Sequence, residues 1–338
     1  MKKPLCSVYL SLTPDMHSYL KKKLQRKYRV HFSTEALNDT NIEKDTEILC
    51  AFVDSHITKN VLQKMPKLRL IATLSTGFDH IDLRQTKKKK ITVCNVPSYG
   101  ERTVAEFTVG LILSLSRNLY KAVRRVKTGN FDYQGLRGID VHKKTIGIIG
   151  TGKIGSNVIR MLQGFGTTII AYDKFPKKDL AKDLGFTYVP LSTIWKKSDI
   201  ISLHTPLLKS TRHIINKKNI QKMKPGVVLV NTARGGLVSS EALLWGLESG
   251  IIAKAGLDVL EEEDLLEDTF RLLEKKTCTI KNTRICLMNN ILIDHPNTIV
   301  TPHLAFNSSE AVLRIIDTSL DNIAAFTKGK PQHIVTKK

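Results

Sequence analysis

From Lys144 onward, short apolar runs alternate with stretches of helical spacing: "TIGIIG", "TTIIAYD", "DIISLH", "GVVLVNT" and "IIAKAGLD". Runs of that length bounded by turn residues read as buried strands. Such alternation of strands and helices argues for a parallel sheet covered by helices. The first hundred residues carry weaker runs of the same kind, "VYLSL", "ILCAFV", "LIATLS" and "ITVCNV", with helical spacers such as Thr58 to Lys64. They predict a second α/β unit. Between the two, "GERTVAEFTVGLILSLSRNLYKAVRRVKTGNF" repeats its apolar positions at three and four, with Gly129 near its end, and predicts one long connecting helix. After Asp258 the pattern turns acidic through "EEEDLLED" and loses its period in "KKTCTIKNTRICLMNN", so Glu267 to Asn290 reads as an excursion from the sheet. "HPNTIVTPHLAFNS" supplies a last short strand and a loop, and Ser308 to Thr327 has helical spacing that returns the chain to the first unit. The expectation is an α/β protein of two domains: a discontinuous one from 1–100 and 305–338, and an inserted one from 101–304.

Composition agrees with two ordinary cores, since 338 residues at 41% hydrophobic need no staples. Cys6, Cys50, Cys94, Cys278 and Cys286 are odd in number and form no CxxC pair, so neither disulfides nor a metal site is expected, and a reducing cytoplasm fits. The apolar part of "MKKPLCSVYLSLTPD" is too short and too alternating for a signal peptide, and no membrane span is expected. A formal net charge of +22 would attract nucleic acid or anionic surfaces. However, the lysines of "YLKKKLQRKYR", "RQTKKKKITV", "DKFPKKDLAKD" and "TIWKKSD" are scattered, without aromatic interleaving. They describe a lysine-rich surface rather than a specific nucleic-acid site.

Two stretches carry candidate chemistry. In "KKTIGIIGTGKIGSNVIRMLQGFGTTIIAYD", Gly150, Gly152 and Gly155 stand in GxGxxG spacing after a strand and at a helix start. That context suits a dinucleotide pyrophosphate held on a helix N-terminus. Asp173 ends the next strand, about 20 residues on, where a carboxylate accepts from an adenosine ribose. Its charge disfavours the extra phosphate of NADP, although Lys174, Lys177 and Lys178 offset part of that repulsion. NAD is therefore the expected cofactor. The second stretch, "VNTARGGLVS", sets Arg234 before Gly235 and Gly236 at the end of a buried strand. In open parallel sheets ligands bind outside the strands' carboxyl ends, so a glycine bend could swing Arg234 across that crevice.

Taken together, "STGFDHIDL", "VCNVPSYGERTVAEFT", "GLRGIDVHKKTIGIIGTGKIG", "AYDKFP", "NTARGGLV", "LDVLEEE" and "TPHLAF" resemble the D-2-hydroxyacid dehydrogenase family, and most closely its D-lactate dehydrogenase branch. The resemblance implies a Rossmann-type NAD-binding domain inserted into a flavodoxin-like substrate domain. It also implies a homodimer and reversible NAD-linked reduction of a 2-keto acid to the D-2-hydroxy acid. By this resemblance Arg234 binds substrate, His303 is the proton donor and acceptor, and Glu263 is its acid partner. Thr151, Lys153 and Ile154 fall with the glycines at the cofactor, joined by His204, Thr205, Pro206, Thr232, Ala233 and Asp258. The backbone of Ser75, Thr76 and Gly77 falls at the substrate carboxylate, and Tyr99, Phe52 and Phe306 at the pocket wall.

The chemistry suits those residue types. A planar guanidinium offers a keto acid paired N–H donors that lysine cannot match. Imidazole, titrating near neutrality, can give a proton to the developing alkoxide and take it back. His295 is the weaker candidate, because "DHPN" is turn-like and precedes the last strand. Among Glu261, Glu262 and Glu263, residue chemistry cannot choose, and only the motif's register selects Glu263. Substrates such as phosphoglycerate or branched 2-keto acids, and a non-enzymatic NAD-sensing corepressor-like role, remain alternatives.

Overall fold

The computed structural model describes residues 3–10, 14–263 and 280–335. Its contacts divide the chain into two compact units, 1–100 with 307–338, and 101–306.

In the first unit β1 (Leu5–Tyr9), β2 (Arg29–Ser33), β3 (Ile48–Ala51), β4 (Leu70–Thr73) and β5 (Thr92–Cys94) form a parallel sheet in the order β2-β1-β3-β4-β5. β1, β3 and β4 are buried along their whole length, as strands covered on both faces must be. β2, absent from the apolar pattern, is a half-exposed edge strand, so its sequence needed no apolar run. The helix Lys59–Lys64 is capped by Thr58, whose side chain accepts from Val61 N–H, and it buries Val61 and Leu62. The helix Ser309–Thr327, capped by Ser308, completes this unit and buries Ile315, Ile316 and Ile323.

In the second unit β6 (Thr145–Ile149), β7 (Thr168–Tyr172), β8 (Thr187–Tyr188), β9 (Ile200–Leu203), β10 (Val227–Asn231), β11 (Ile252–Leu257) and β12 (Thr298–Val300) form a parallel sheet in the order β12-β11-β10-β9-β6-β7-β8. The order reverses between β6 and β9, and the glycine loop follows β6 there. This is the Rossmann-type arrangement, with a ligand crevice at the switch point.

Two expectations need correction. The long connecting helix is two helices, Glu101–Ser116 and Leu119–Lys127, broken at Asn118 with φ 53°. The returning chain causes the break: Ile139 N–H takes the Ser116 carbonyl, and the Asn118 amide donates to the Leu136 and Arg137 carbonyls. Asparagine tolerates the left-handed conformation better than most residues, so the turn costs little. The first helix packs Ala105, Ile112 and Leu115 into the core, whereas the second leaves Leu119 and Val123 half exposed. Second, the aperiodic stretch contains a helix, Ile280–Asp294. Ile285, Cys286 and Leu292 are buried while Ile280, Leu287, Ile291 and Ile293 are exposed, so its apolar residues do not mark a face. The remainder of the expected excursion, through residue 279, lies outside the described residues.

Candidate active site

At the glycine loop the three glycines do different work. Gly150 has φ +98°, and a Cβ there would press on the His204 carbonyl; a Cβ on Gly155 would collide with the Gly150 carbonyl. These two permit the turn and its close packing. Gly152, which caps the helix Lys153–Gln163, would meet nothing within 4 Å. Its lack of a side chain leaves open space at the helix N-terminus, where the first N–H groups point outward. Nearby, Thr205 Oγ1 is buried without a hydrogen-bond partner among the described residues, while its methyl lies against Gly150. An open helix end and an orphaned buried hydroxyl fit a dinucleotide. Accordingly, Gly152→Ala should leave the apoprotein's stability within about 1 kcal/mol yet raise the NADH Kd by about tenfold or more, a loss near 1.4 kcal/mol. Calorimetric melting and NADH fluorescence titration check the two halves.

Asp173 follows β7. Its Oδ2 accepts from Thr151 N–H at 2.7 Å and Thr151 Oγ1 at 2.9 Å, and its Oδ1 accepts from Phe175 N–H at 2.9 Å. Burial works against its charge, but those hydrogen bonds and Lys177 outweigh it and hold the carboxyl below its usual range. Lys153 pairs with Glu101 at 3.1 Å, and Ile154 is half-buried behind the loop. His204 follows β9, with Nε2 and Ser202 Oγ 2.9 Å apart, and burial pushes its imidazole down to about 3, so it stays neutral. Pro206 is exposed beyond it.

The buried Asn231 ends β10 and shapes the turn that follows. Its Oδ1 accepts from Ala233 N–H and its Nδ2 donates to the Arg234 carbonyl, while Thr232 shares a 2.8 Å hydrogen bond with Thr108. Arg234 is half-buried and extended, with Nη1 donating to the Ala233 carbonyl. The chain does turn at the glycines after it, in a short 3-10 helix from Gly235 to Leu237, but the turn does not use glycine's special backbone angles. Neither has positive φ; a Cβ on Gly235 would collide with the Leu260 carbonyl, and one on Gly236 would press on Leu207. Gly235 lets the segment holding Arg234 pack directly on the one that leads to Glu263, and Gly236 lets it pack on the loop after β9.

His303 lies beyond β12 in the left-handed region, φ 50°, with its N–H bonded to the Asp258 and Thr301 carbonyls. Asp258, after β11, grips this turn from inside. Its Oδ1 accepts from Thr301 Oγ1 and Leu304 N–H, and its Oδ2 from Ala305 N–H. His303 Nδ1 meets Glu263 Oε1 at 2.7 Å. A carboxylate only accepts, so Nδ1 carries the proton and Nε2 is directed elsewhere. Burial lowers the His303 pKa, but the Glu263 hydrogen bond and the charges of Glu263 and Asp258 raise it more, against an opposing contribution from Arg234. The net shift is upward. Arg234, Glu263 and His303 thus share one electrostatic neighbourhood at the carboxyl ends of β10, β11 and β12.

The acidic triplet is not a solvated run. Glu261 is buried, with Oε1 accepting from His213 Nε2 at 2.6 Å and Oε2 from Ser240 N–H at 3.1 Å. Only Glu262 is exposed. Neither His213 nor Asn231 stood out in the sequence, because each lies in an unremarkable loop context.

In the first unit, considered by itself, Ser75, Thr76 and Gly77 follow the carboxyl end of β4. Ser75 Oγ donates to the Gly77 carbonyl and lies 2.8 Å from Thr73 Oγ1, which in turn lies 3.1 Å from His80 Nε2. Burial, with the nearby charge of His56, pushes the His80 imidazole down to about 4 against the pull of Asp79. Thr76 is fixed on both sides, donating to the Val96 carbonyl and accepting from the Asn95 amide. Phe52 follows β3 and Tyr99 lies beyond β5; both are half-buried, as is Phe306 at the end of the second unit.

Residues 109–305 match the family described as D-isomer specific 2-hydroxyacid dehydrogenase, NAD binding domain. The chain belongs to that family. It therefore carries the family's NAD-binding domain in the second unit, which agrees with the open loop end at Gly152. Among curated relatives, 2-hydroxyacid dehydrogenase homolog 2 of Schizosaccharomyces pombe is 37% identical over 309 residues, covering 88% of this chain and 90% of its own. Among solved structures, the pyruvate reductase of Chlamydomonas reinhardtii superposes with a TM-score of 0.86 at 35% identity, covering 97% and 98% of the two chains. The D-lactate dehydrogenase of Aquifex aeolicus, complexed with NAD and lactic acid, gives 0.84 at 34% identity and covers 99% of both. Among the described residues no helix is long and apolar enough to cross a membrane.

Proposed function

We propose that this D-2-hydroxyacid dehydrogenase is a D-lactate dehydrogenase, reducing pyruvate with NADH and a proton to D-lactate and NAD, and running in reverse. The observation that carries the proposal is the His303–Glu263 pair at 2.7 Å within electrostatic reach of Arg234. Bound NADH supplies the hydride. Arg234 holds the keto acid through paired N–H donors and polarises its carbonyl, so that negative charge developing on oxygen is met by a fixed cation. His303 Nε2 delivers the proton to that oxygen, while Glu263 fixes the ring's tautomer through Nδ1 and keeps the imidazolium populated. In oxidation of the hydroxy acid the same nitrogen takes the proton back.

The proposal extends to the remaining residues. Ser75, Thr76 and Gly77 offer backbone N–H groups to the substrate carboxylate, and Phe52, Tyr99 and Phe306 limit the side chain the pocket accepts. The first unit is accordingly the substrate domain. A homodimer is supported by the apolar Leu119, Val123 and Val126 beside the exposed Phe131 and Tyr133, and sedimentation reads its mass. Cys6, Cys50 and Cys94 are buried thiols outside any disulfide, which fits a reducing cytoplasm.

The experiment is a panel of 2-keto acids with NADH and NADPH, with chiral analysis of the product. Pyruvate is expected as the best substrate, D-lactate as the product, and NADH as strongly preferred because of Asp173. Production of L-lactate, or greater efficiency with a branched keto acid or phosphohydroxypyruvate, would replace this reading. NADH binding without turnover of any keto acid would favour a corepressor-like role.

A further inference from the structure

We infer that Glu261, clamped to His213, is a positioning residue that holds Glu263 against His303 and ties that pair to the segment bearing Arg234. The inference rests on the roles proposed above for Arg234, Glu263 and His303. Three consecutive glutamates diverge in direction because Glu262 adopts φ 51°. A non-glycine residue in the left-handed region is strained by about 1 kcal/mol or more, and it persists only where neighbours over-determine it. Here they do. Glu261 Oε1 accepts a hydrogen bond from His213 Nε2 at 2.6 Å, its Oε2 accepts from Ser240 N–H at 3.1 Å, and its carbonyl accepts from the Asn289 amide at 2.7 Å. Asn289 is itself fixed by Ser240 Oγ at 2.8 Å. Arg212 adds charge from the edge, 3.6 Å from Glu261 and 3.4 Å from Glu262.

The clamp reaches both catalytic segments. His213 N–H donates to the Gly236 carbonyl, two residues after Arg234, and Gly235 packs on the Leu260 carbonyl. On the other side, Leu260 N–H donates to Glu263 Oε2 at 3.1 Å, leaving Oε1 for His303. Releasing Glu261 would let Glu262 relax to negative φ, and that rotation carries Glu263 away from the imidazole. The His303 pKa then falls, because the hydrogen bond and charge that raise it are lost.

The test reads His303 directly, by NMR titration of its ring in the full-length protein with and without NAD. Glu261→Gln is the first variant. An amide brings one acceptor and one donor to a position facing two donors, His213 Nε2–H and Ser240 N–H, so one of them loses its partner. His213→Ala cuts the same clamp from its half-exposed side and decides the matter should Glu261→Gln fail to fold. Both are expected to lower the His303 pKa by about half a unit or more, and in active enzyme to bring down the alkaline limit of keto-acid reduction with it. Glu262→Gln removes the charge opposite Arg212 but leaves the contacts of Glu261 with His213, Ser240 and Asn289 intact, and is expected to leave the titration in place. A lowered melting temperature with His303 titrating as in the wild type would reduce Glu261 to a structural role and overturn the proposal. Absence of keto-acid turnover in the wild-type protein would instead count against the proposed activity, with the titration still decisive for the clamp.

Discussion

His303→Asn is expected to lower pyruvate reduction by about 10³-fold, within the range of roughly 10²- to 10⁴-fold that a positioned general acid contributes. Asparagine keeps a polar group of similar reach but has no proton that can be given and regained near neutral pH, so NADH affinity should stay within about threefold while kcat collapses. Stopped-flow fluorescence and steady-state kinetics separate the two. The companion change, Glu263→Gln, keeps a hydrogen-bonding group and removes the charge. Burial draws the His303 pKa down, Glu263 and Asp258 raise it further than that, and the net shift is upward. Reduction needs the protonated ring, so activity falls as pH rises through this raised value. Without the Glu263 charge the alkaline limb moves to lower pH. Oxidation starts from the neutral ring, so there the same substitution extends activity toward acid. A reduction profile unchanged by Glu263→Gln would remove it from the pair, and His303→Asn retaining a tenth of the wild-type rate would falsify the proton role.

Arg234→Lys is expected to lose about 10²- to 10³-fold in kcat/KM, near 3–4 kcal/mol, although the charge survives. A hydrogen bond to a charged group is worth about 1.5–3 kcal/mol, and an ammonium cannot present two parallel donors to a planar acid. Lysine also presents its charge at a single point, so the carbonyl would be oriented less tightly as well as losing one contact. The deficit should appear in both kcat and KM for the keto acid, with the NADH Kd unaffected. Near-normal kinetics would place Arg234 outside the substrate site.

Much of this was legible from sequence because the signals are local. The parallel α/β order follows from apolar runs spaced by helical stretches, and each run named from Lys144 to Asp258 is a strand of the second sheet. The glycine loop and Asp173 lie within one strand-helix-strand unit, so their proximity follows from connection geometry. The rule that ligands gather at strand carboxyl ends made Arg234 a candidate and favoured His303 over His295, while their roles came from the motif resemblance.

What sequence by itself determined, then, was most strands of both parallel sheets, the cofactor loop, and the residue types available for catalysis. The family motif's register pointed to Glu263 for His303, but residue chemistry could not choose among the three glutamates, and only the tertiary structure brought Glu261 to His213 and gave each pair its geometry. Three adjacent carboxylates are chemically identical, and their partners come from segments 48 and 40 residues away, His213 for Glu261 and His303 for Glu263. The break at Asn118 was likewise set from outside, by carbonyl and amide partners at 136–139. The helix Ile280–Asp294 escaped periodicity because its apolar residues point both inward and outward. Even the purpose of Gly235 was non-local: its missing Cβ makes room for Leu260, a neighbour that exists only once β10 and β11 lie side by side. Local spacing fixes backbone conformation, but the direction of a side chain among equals is chosen by donors and steric limits that distant segments bring to it.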